Sequence, residues 1–279
     1  MEYPANHNVP DDEHHPQRFG VFERVNNYLL LLYAGACLIM NYSLGGLLYL
    51  RGMLILSLSV PGIVSILVPL FVLSRRFSLA FTEEYRLSAP VLRTTALSLL
   101  ISGSATLPVE AISTFFERRW PPDSDYINFL LAIKPKGFLS FLAVALGVVI
   151  VAPFTEELLF RGFIQRIFMR NMRGALAVAL GALLFGICHF DMPVLVPVTT
   201  LGILYGYLFL RTGNLFYPFL GHALFNLISL IRLHLASEGA IESSAVAYPD
   251  ISWTAVSLVA LLYGIRLIER LESQPETRI

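Results

Sequence analysis

Residues 138–161 read FLSFLAVALGVVIVAPFTEELLFR. From Phe138 to Pro153 there is no charge, and then Glu156, Glu157 and Arg161 arrive within six positions. A membrane helix needs about 20 mainly apolar residues, and this run supplies them. A carboxylate or guanidinium at mid-bilayer costs roughly 2.5–3.5 kcal/mol on insertion scales, so such groups gather in a bundle interior or a watery cavity and mark function. The stretch decides two things: the chain is a membrane protein, and its chemistry sits on this helix.

The whole composition agrees. The chain has 279 residues, 56% of them hydrophobic and 14% charged, with a mean hydropathy of +0.66. Soluble domains carry about 25% charged residues. Formal net charge is zero, so no basic surface argues for nucleic acid as a partner. Cys37 and Cys188 both lie in apolar segments and imply no disulfide framework. The first 24 residues are polar and contain proline, which predicts a mobile tail; they lack the basic start and apolar core of a cleavable signal. His7, His14, His15, Asp11, Asp12 and Glu13 in this tail could chelate a metal, but nothing fixes a geometry for them.

Eight spans are predicted, near 27–50, 53–74, 91–113, 138–160, 175–191, 194–211, 215–235 and 250–269. The expected fold is all-α, a polytopic bundle of about eight transmembrane helices around a membrane-embedded cavity. One domain, 25–270, would carry a motif-bearing core at 138–235, with a polar C-terminal tail at 271–279. Pro61 and Pro69 are expected to kink the second span. The connection from Thr114 to Gly137, with Trp120-Pro121-Pro122 and an apolar patch at Ile127–Ile133, reads as a short interfacial helix or a lid. Lysines and arginines alternate between connections. One side would hold Arg18, Arg24, Arg75, Arg76, Arg86, Arg93, Arg166, Arg170, Arg173, Arg211, Arg266, Arg270 and Arg278. The other would hold Arg51, Arg118, Arg119, Lys134, Lys136 and Arg232. The positive-inside bias then assigns both termini to the cytoplasm.

Residues four apart on a helix share a face, so Glu157 and Arg161 can pair, while Glu156 points about 100° away and stays free. An unpaired carboxylate is a candidate general base. Two later spans add His189, four residues after Phe185, and His222, four residues before Asn226. Glu156 and His189 each lie about 16 residues, or roughly 24 Å of helix, from the turn at Arg173. Each residue alone has a plain explanation as a hydrogen bond between helices. Together they form the set that hydrolysis of an acyl bond requires: a base for water, and donors for a developing oxyanion.

The motifs Glu156-Glu157-x-x-x-Arg161, Phe185-x-x-x-His189 and His222-x-x-x-Asn226 resemble the successive motifs of the CAAX protease and bacteriocin-processing (CPBP, or Abi) intramembrane peptidases. Leu210-Arg-Thr-Gly-Asn-Leu215, leading into His222, adds to the likeness, which spans about 138–235. The resemblance implies a type II CAAX prenyl endopeptidase-like glutamic peptidase of eight helices, with a membrane-buried site open to the cytoplasm. It implies that Glu156 activates water with His189, that His222 and Asn226 form the oxyanion hole, and that Glu157 and Arg161 orient the site. The substrate would be a peptide or a C-terminally lipidated protein, met at the membrane lipid, with no cofactor.

Two alternatives stay open on the residues. Glu156, His189 and His222 could bind zinc, although the HExxH arrangement is absent and Asn226 suits an oxyanion better than a metal. Alternatively, the same polar set could bind a peptide without cleaving it, as an immunity or scaffold protein would. A transporter is disfavoured because the first two spans and the last carry almost no polar path. A cysteine peptidase built on Cys188 fails on geometry, since adjacent helical residues point apart.

Overall fold

A computed structural model describes residues 21–242 and 247–272. The histidine and acidic residues at positions 7–15 and the tail from 273 lie outside the described residues. Every regular element among the described residues is helical. In chain order they are α1 (Asn27–Leu50), α2 (Leu54–Arg76), α3 (Leu92–Arg119), α4 (Ser124–Ile133), α5 (Phe138–Met169), α6 (Gly174–Ile187), α7 (Met192–Thr212), α8 (Phe216–Leu235) and α9 (Ile251–Leu271). Single helical turns at Val21–Arg24, Phe81–Glu84 and Glu238–Glu242 complete the list.

Seven of these helices are long and apolar enough to cross a membrane, so the chain is a multi-pass integral membrane protein. The eighth predicted span, near 175–191, is where the structure departs from expectation. Its helix α6 has 14 residues, about 21 Å at 1.5 Å per residue, against a hydrocarbon core of about 30 Å. The chain turns back at residues 188–191, where Phe190 adopts a left-handed φ of 52°. Residues 21 and 22, which the composition assigns to the tail, belong to the packed core. Val21 and Phe22 are buried, and Phe22 packs against Phe163 with ring centroids 5.5 Å apart.

Prolines shape the long helices. A proline lacks the N–H of the regular ladder, and the hydrogen-bonding register shifts to accommodate it. In α2 a π-helical stretch, Ile63–Leu67, lies between Pro61 and Pro69. In α5 a π segment at Leu146–Val151 precedes Pro153, and another at Phe160–Gln165 follows the acidic pair. Elsewhere the caps are regular. Asn26 accepts from Tyr28 N–H at the start of α1, Asp123 accepts from Tyr126 N–H at α4, and Gly213, with φ 63°, closes α7. The segment expected as an interfacial helix is α4.

The bundle has two distinct ends. At one, the connections 77–91, 170–173 and 213–215 interlock: Arg166 pairs with Glu84 at 3.9 Å, Leu215 N–H donates to Arg86 O at 2.8 Å, and Arg170 donates to Val25 O at 3.1 Å. We call this the basic end. At the other lie the turn 51–53, helix α4 and the approach to α9. There Lys134 Nζ donates to His234 O at 2.9 Å, and Arg118 stands over the Tyr248 ring at 4.5 Å.

Candidate active site

The site starts from Pro153. Ala152 N–H bonds back to Gly147 O, five residues earlier, and Pro153 contributes no N–H to continue the ladder. The carbonyl of Val148, next in line, is taken instead by Asn226 Nδ2 of α8 at 2.8 Å. A proline in one helix thus fixes an asparagine in another.

One turn on, Glu157 and Arg161 form the expected i,i+4 pair at 2.8 Å, and both side chains are buried. Arg161 Nη2 donates onward to Gly202 O of α7 at 3.2 Å, and its guanidinium lies 4.5 Å from the Phe185 ring centroid. A turn later Gln165 repeats the pattern, donating to Gly206 O at 3.0 Å. These contacts need small residues at 202 and 206. A Cβ on Gly202 would stand 3.0 Å from Ala182, and one on Gly206 would meet Gln165 Oε1 at 2.9 Å. The spacing Gly-x-x-x-Gly is one that lets membrane helices approach backbone to backbone.

His222 completes this buried seam. Its Nδ1 lies 2.9 Å from Glu157 Oε1, and its ring stacks on Tyr205 with centroids 5.2 Å apart and planes 18° off parallel. A carboxylate can only accept, so Nδ1 carries the proton. The other ring nitrogen, Nε2, faces Glu156 Oε2 at 3.8 Å. Glu157 therefore holds Arg161 and His222 together, and Glu156 stands on the far side of the ring.

His189 is not inside a helix, as the sequence pattern suggested. It lies in the turn after α6, where Nδ1 donates to Phe185 O at 2.9 Å, leaving Nε2 with its lone pair. Irregular backbone at membrane depth is tolerated where it is buried in protein or lines a cavity, and this turn meets that condition. Tyr42 Oη of α1 donates to Cys188 O, and Cys188 and His189 both line a cavity of about 210 Å³.

Glu156, 31% exposed at its side chain, faces that cavity together with His189. It also borders a second, larger space of about 430 Å³ between α1, α2 and α5. The two spaces share Asn41, Tyr42, Ile66 and Glu156 in their walls, so the carboxylate stands where they join. Phe129 of α4 and Tyr49 of α1 border the larger one, their rings 6.2 Å apart. His222 and Asn226 line neither space; they sit behind Glu156. Among the described residues, no group of three or more His, Cys, Asp and Glu side chains could hold a metal ion.

The structure adds partners that sequence reading missed. Tyr205, Gln165 and the pair Gly202/Gly206 belong to the seam, and the glycine spacing was a visible signal. Tyr42 steadies the His189 turn from 146 residues away, and nothing local marks it.

Residues 138–228 match the family described as type II CAAX prenyl endopeptidase Rce1-like. The match contains all six site residues, and it bears out the resemblance drawn from the motifs. No curated protein and no solved structure matches the chain.

Proposed function

With residues 138–228 assigned to the Rce1-like CAAX proteases, we propose that this protein is an intramembrane endopeptidase of the glutamic type, acting on a peptide or lipidated protein substrate. The observation that carries the reading is the division of labour between adjacent carboxylates. Glu157 is buried and committed to Arg161 and His222, whereas Glu156 is partly exposed and shares a cavity with His189.

In the proposed mechanism a water enters that cavity between Glu156 and His189 Nε2, the two free proton acceptors. Glu156 takes a proton as the water oxygen attacks the scissile carbonyl. The same proton then passes to the departing amine, so Glu156 serves as base and then as acid. His222 Nε2, which donates when the ring carries both protons, and the Asn226 N–H not engaged with Val148 O would meet the oxyanion; both stand behind Glu156 and outside the two spaces, so the scissile carbonyl has to reach past that side chain. Donors held in place before reaction stabilise developing charge at no cost of reorganisation, which is what the Pro153–Val148–Asn226 link supplies.

The test is cleavage of a panel of lipidated and plain peptides by the full-length protein in detergent. Glu156→Gln should lower kcat/KM by about 10²–10⁴, the usual range for a general base, with the melting temperature unchanged. Chelator should leave the wild type active. Loss of activity in chelator would favour zinc held by Glu156, His189 and His222, with the metal supplying an activated water. No cleavage of any peptide by folded wild type would turn the reading toward a peptide-binding protein.

A further inference from the structure

The two joined spaces form a chamber, and α1 is one of its walls. Leu38, Asn41, Tyr42, Gly45, Gly46 and Tyr49 border it, and their spacing of three and four residues puts them on a single helical face. From Tyr28 to Leu50 this helix carries no charge, and Asn41 is its only side-chain amide. Asn41 lies within one turn of the middle of the 24-residue α1, half-buried. A polar group in an apolar setting costs free energy unless a hydrogen bond meets it. The ordinary reason for an asparagine there is a partner on another helix. Asn41 has none: among the described residues, its side chain makes no hydrogen bond.

The surroundings narrow its role. The residues common to both spaces are Asn41, Tyr42, Ile66 and Glu156. Ile66 is apolar, and Tyr42 spends its O–H on Cys188 O. The hydroxyls bordering the larger space near this junction are spent as well: Thr155 donates to Val151 O at 2.8 Å, and Ser57 to Leu54 O at 2.6 Å. What remains uncommitted at the junction is an amide and a carboxylate, Asn41 and Glu156, with His189 Nε2 beside them in the smaller space. A side-chain amide offers N–H donors and a carbonyl acceptor. A peptide unit offers one of each, so the two can pair through both at once. A lipid tail would need neither, and an ionic ligand would be met by charge.

We propose that Asn41 is a substrate-binding residue, whose amide pairs with a backbone peptide unit beside the scissile bond and holds an extended chain against Glu156. The proposal rests on the peptidase reading of this chamber. It adds a group from α1, outside the matched residues 138–228, to a site otherwise built from the chain between α5 and α8.

The test is a binding cycle with the full-length chain in detergent. A fluorescein-labelled, C-terminally lipidated peptide is titrated into Glu156→Gln, expected to bind without cleaving, and into the same variant carrying Asn41→Leu. Leucine strands no protein group, so the melting temperature should hold. Kd should rise by about 5–30-fold, the loss of a pair of neutral hydrogen bonds. Asn41→Ala, with the same expectation, separates loss of the amide from crowding by leucine. In cleavage by the otherwise unaltered protein, Asn41→Leu should raise KM by a similar factor and leave kcat and its pH profile unchanged. A second arm replaces the peptide's backbone amides by esters, one at a time, each removing a single N–H. One such ester should weaken binding to Glu156→Gln by about 3–10-fold, and have no effect once Asn41 is replaced. Three results would overturn the proposal: an unchanged Kd, esters that act additively with Asn41→Leu at every position, or a fall in kcat at constant KM. Binding and cleavage are read separately. Coupling without cleavage by the wild type would end the peptidase reading and leave the Asn41 pairing standing. Cleavage without coupling would do the opposite, and no binding of any peptide would overturn both.

Discussion

Glu156 and Glu157 are neighbours of identical chemistry on one turn of one helix, and the structure gives them opposite environments. Glu157 turns into a seam where every adjoining group is fixed: Arg161 through Gly202, His222 through the Tyr205 stack. Glu156 turns outward into the chamber it shares with His189, and His222 Nε2 behind it stands at a distance too long for a direct hydrogen bond. A 100° rotation along the helix separates a structural ion from a chemical one. The lesson is that a buried charge in this bundle is informative through its partners rather than its presence.

Breaking the inner carboxylate should have the largest effect. Glu157→Gln leaves the Arg161 guanidinium buried without its counter-charge, a change that destabilises by about 3–5 kcal/mol in comparable buried pairs. We expect a large fall in melting temperature in detergent and in the yield of folded protein, with activity lost as a consequence. The outer carboxylate should behave inversely, with Glu156→Gln folding normally and failing to cleave. Equal stability losses for the two variants would erase the comparison.

The fold was largely legible because its signals are local. Apolar runs placed all seven long helices, although two of them run past the predicted ends, α3 to Arg119 instead of 113 and α5 to Met169 instead of 160, and the Glu157–Arg161 pair followed from helical spacing alone. What was not legible depends on partners distant in the chain. The His189 turn reads as helix because Gly174–Ile187 is apolar throughout, and its arrest at Cys188 depends on Tyr42 and the α6–α7 packing. The pairing of His222 with Glu157 was equally hidden. Spacing says that a histidine and an acid lie on different helices, but not which of two adjacent carboxylates the ring will meet.

A smaller effect should come from Asn226→Ala. The substitution removes an amide with two tasks, one N–H on Val148 O and the other free for an oxyanion. Losing one preorganised donor costs about 10²–10³ in kcat, less than expected for Glu156 at the upper end of its range. The hydrogen bond to Val148 adds a stability loss of about 0.5–1.5 kcal/mol. A variant that lowers kcat with KM unchanged supports the oxyanion role. A loss confined to melting temperature would assign Asn226 to the seam, on Glu157's side of the comparison.

The smallest effect tests the chamber wall itself. Gly46 sits inside α1 and borders the larger space, with no atom within 4 Å of the place an added methyl would occupy. In a helix interior glycine is less favourable than alanine by about 0.8–1 kcal/mol, so Gly46→Ala should raise the melting temperature slightly and leave cleavage intact. Gly46→Phe keeps only part of the backbone gain and projects a ring into the 430 Å³ space. If that space seats part of the substrate, KM rises while kcat holds, because the ring crowds binding without touching Glu156, His189 or the seam behind them. If both variants are stabilised and kinetically silent, the larger space is a lipid-filled crevice and the catalytic chamber shrinks to the 210 Å³ between Glu156 and His189.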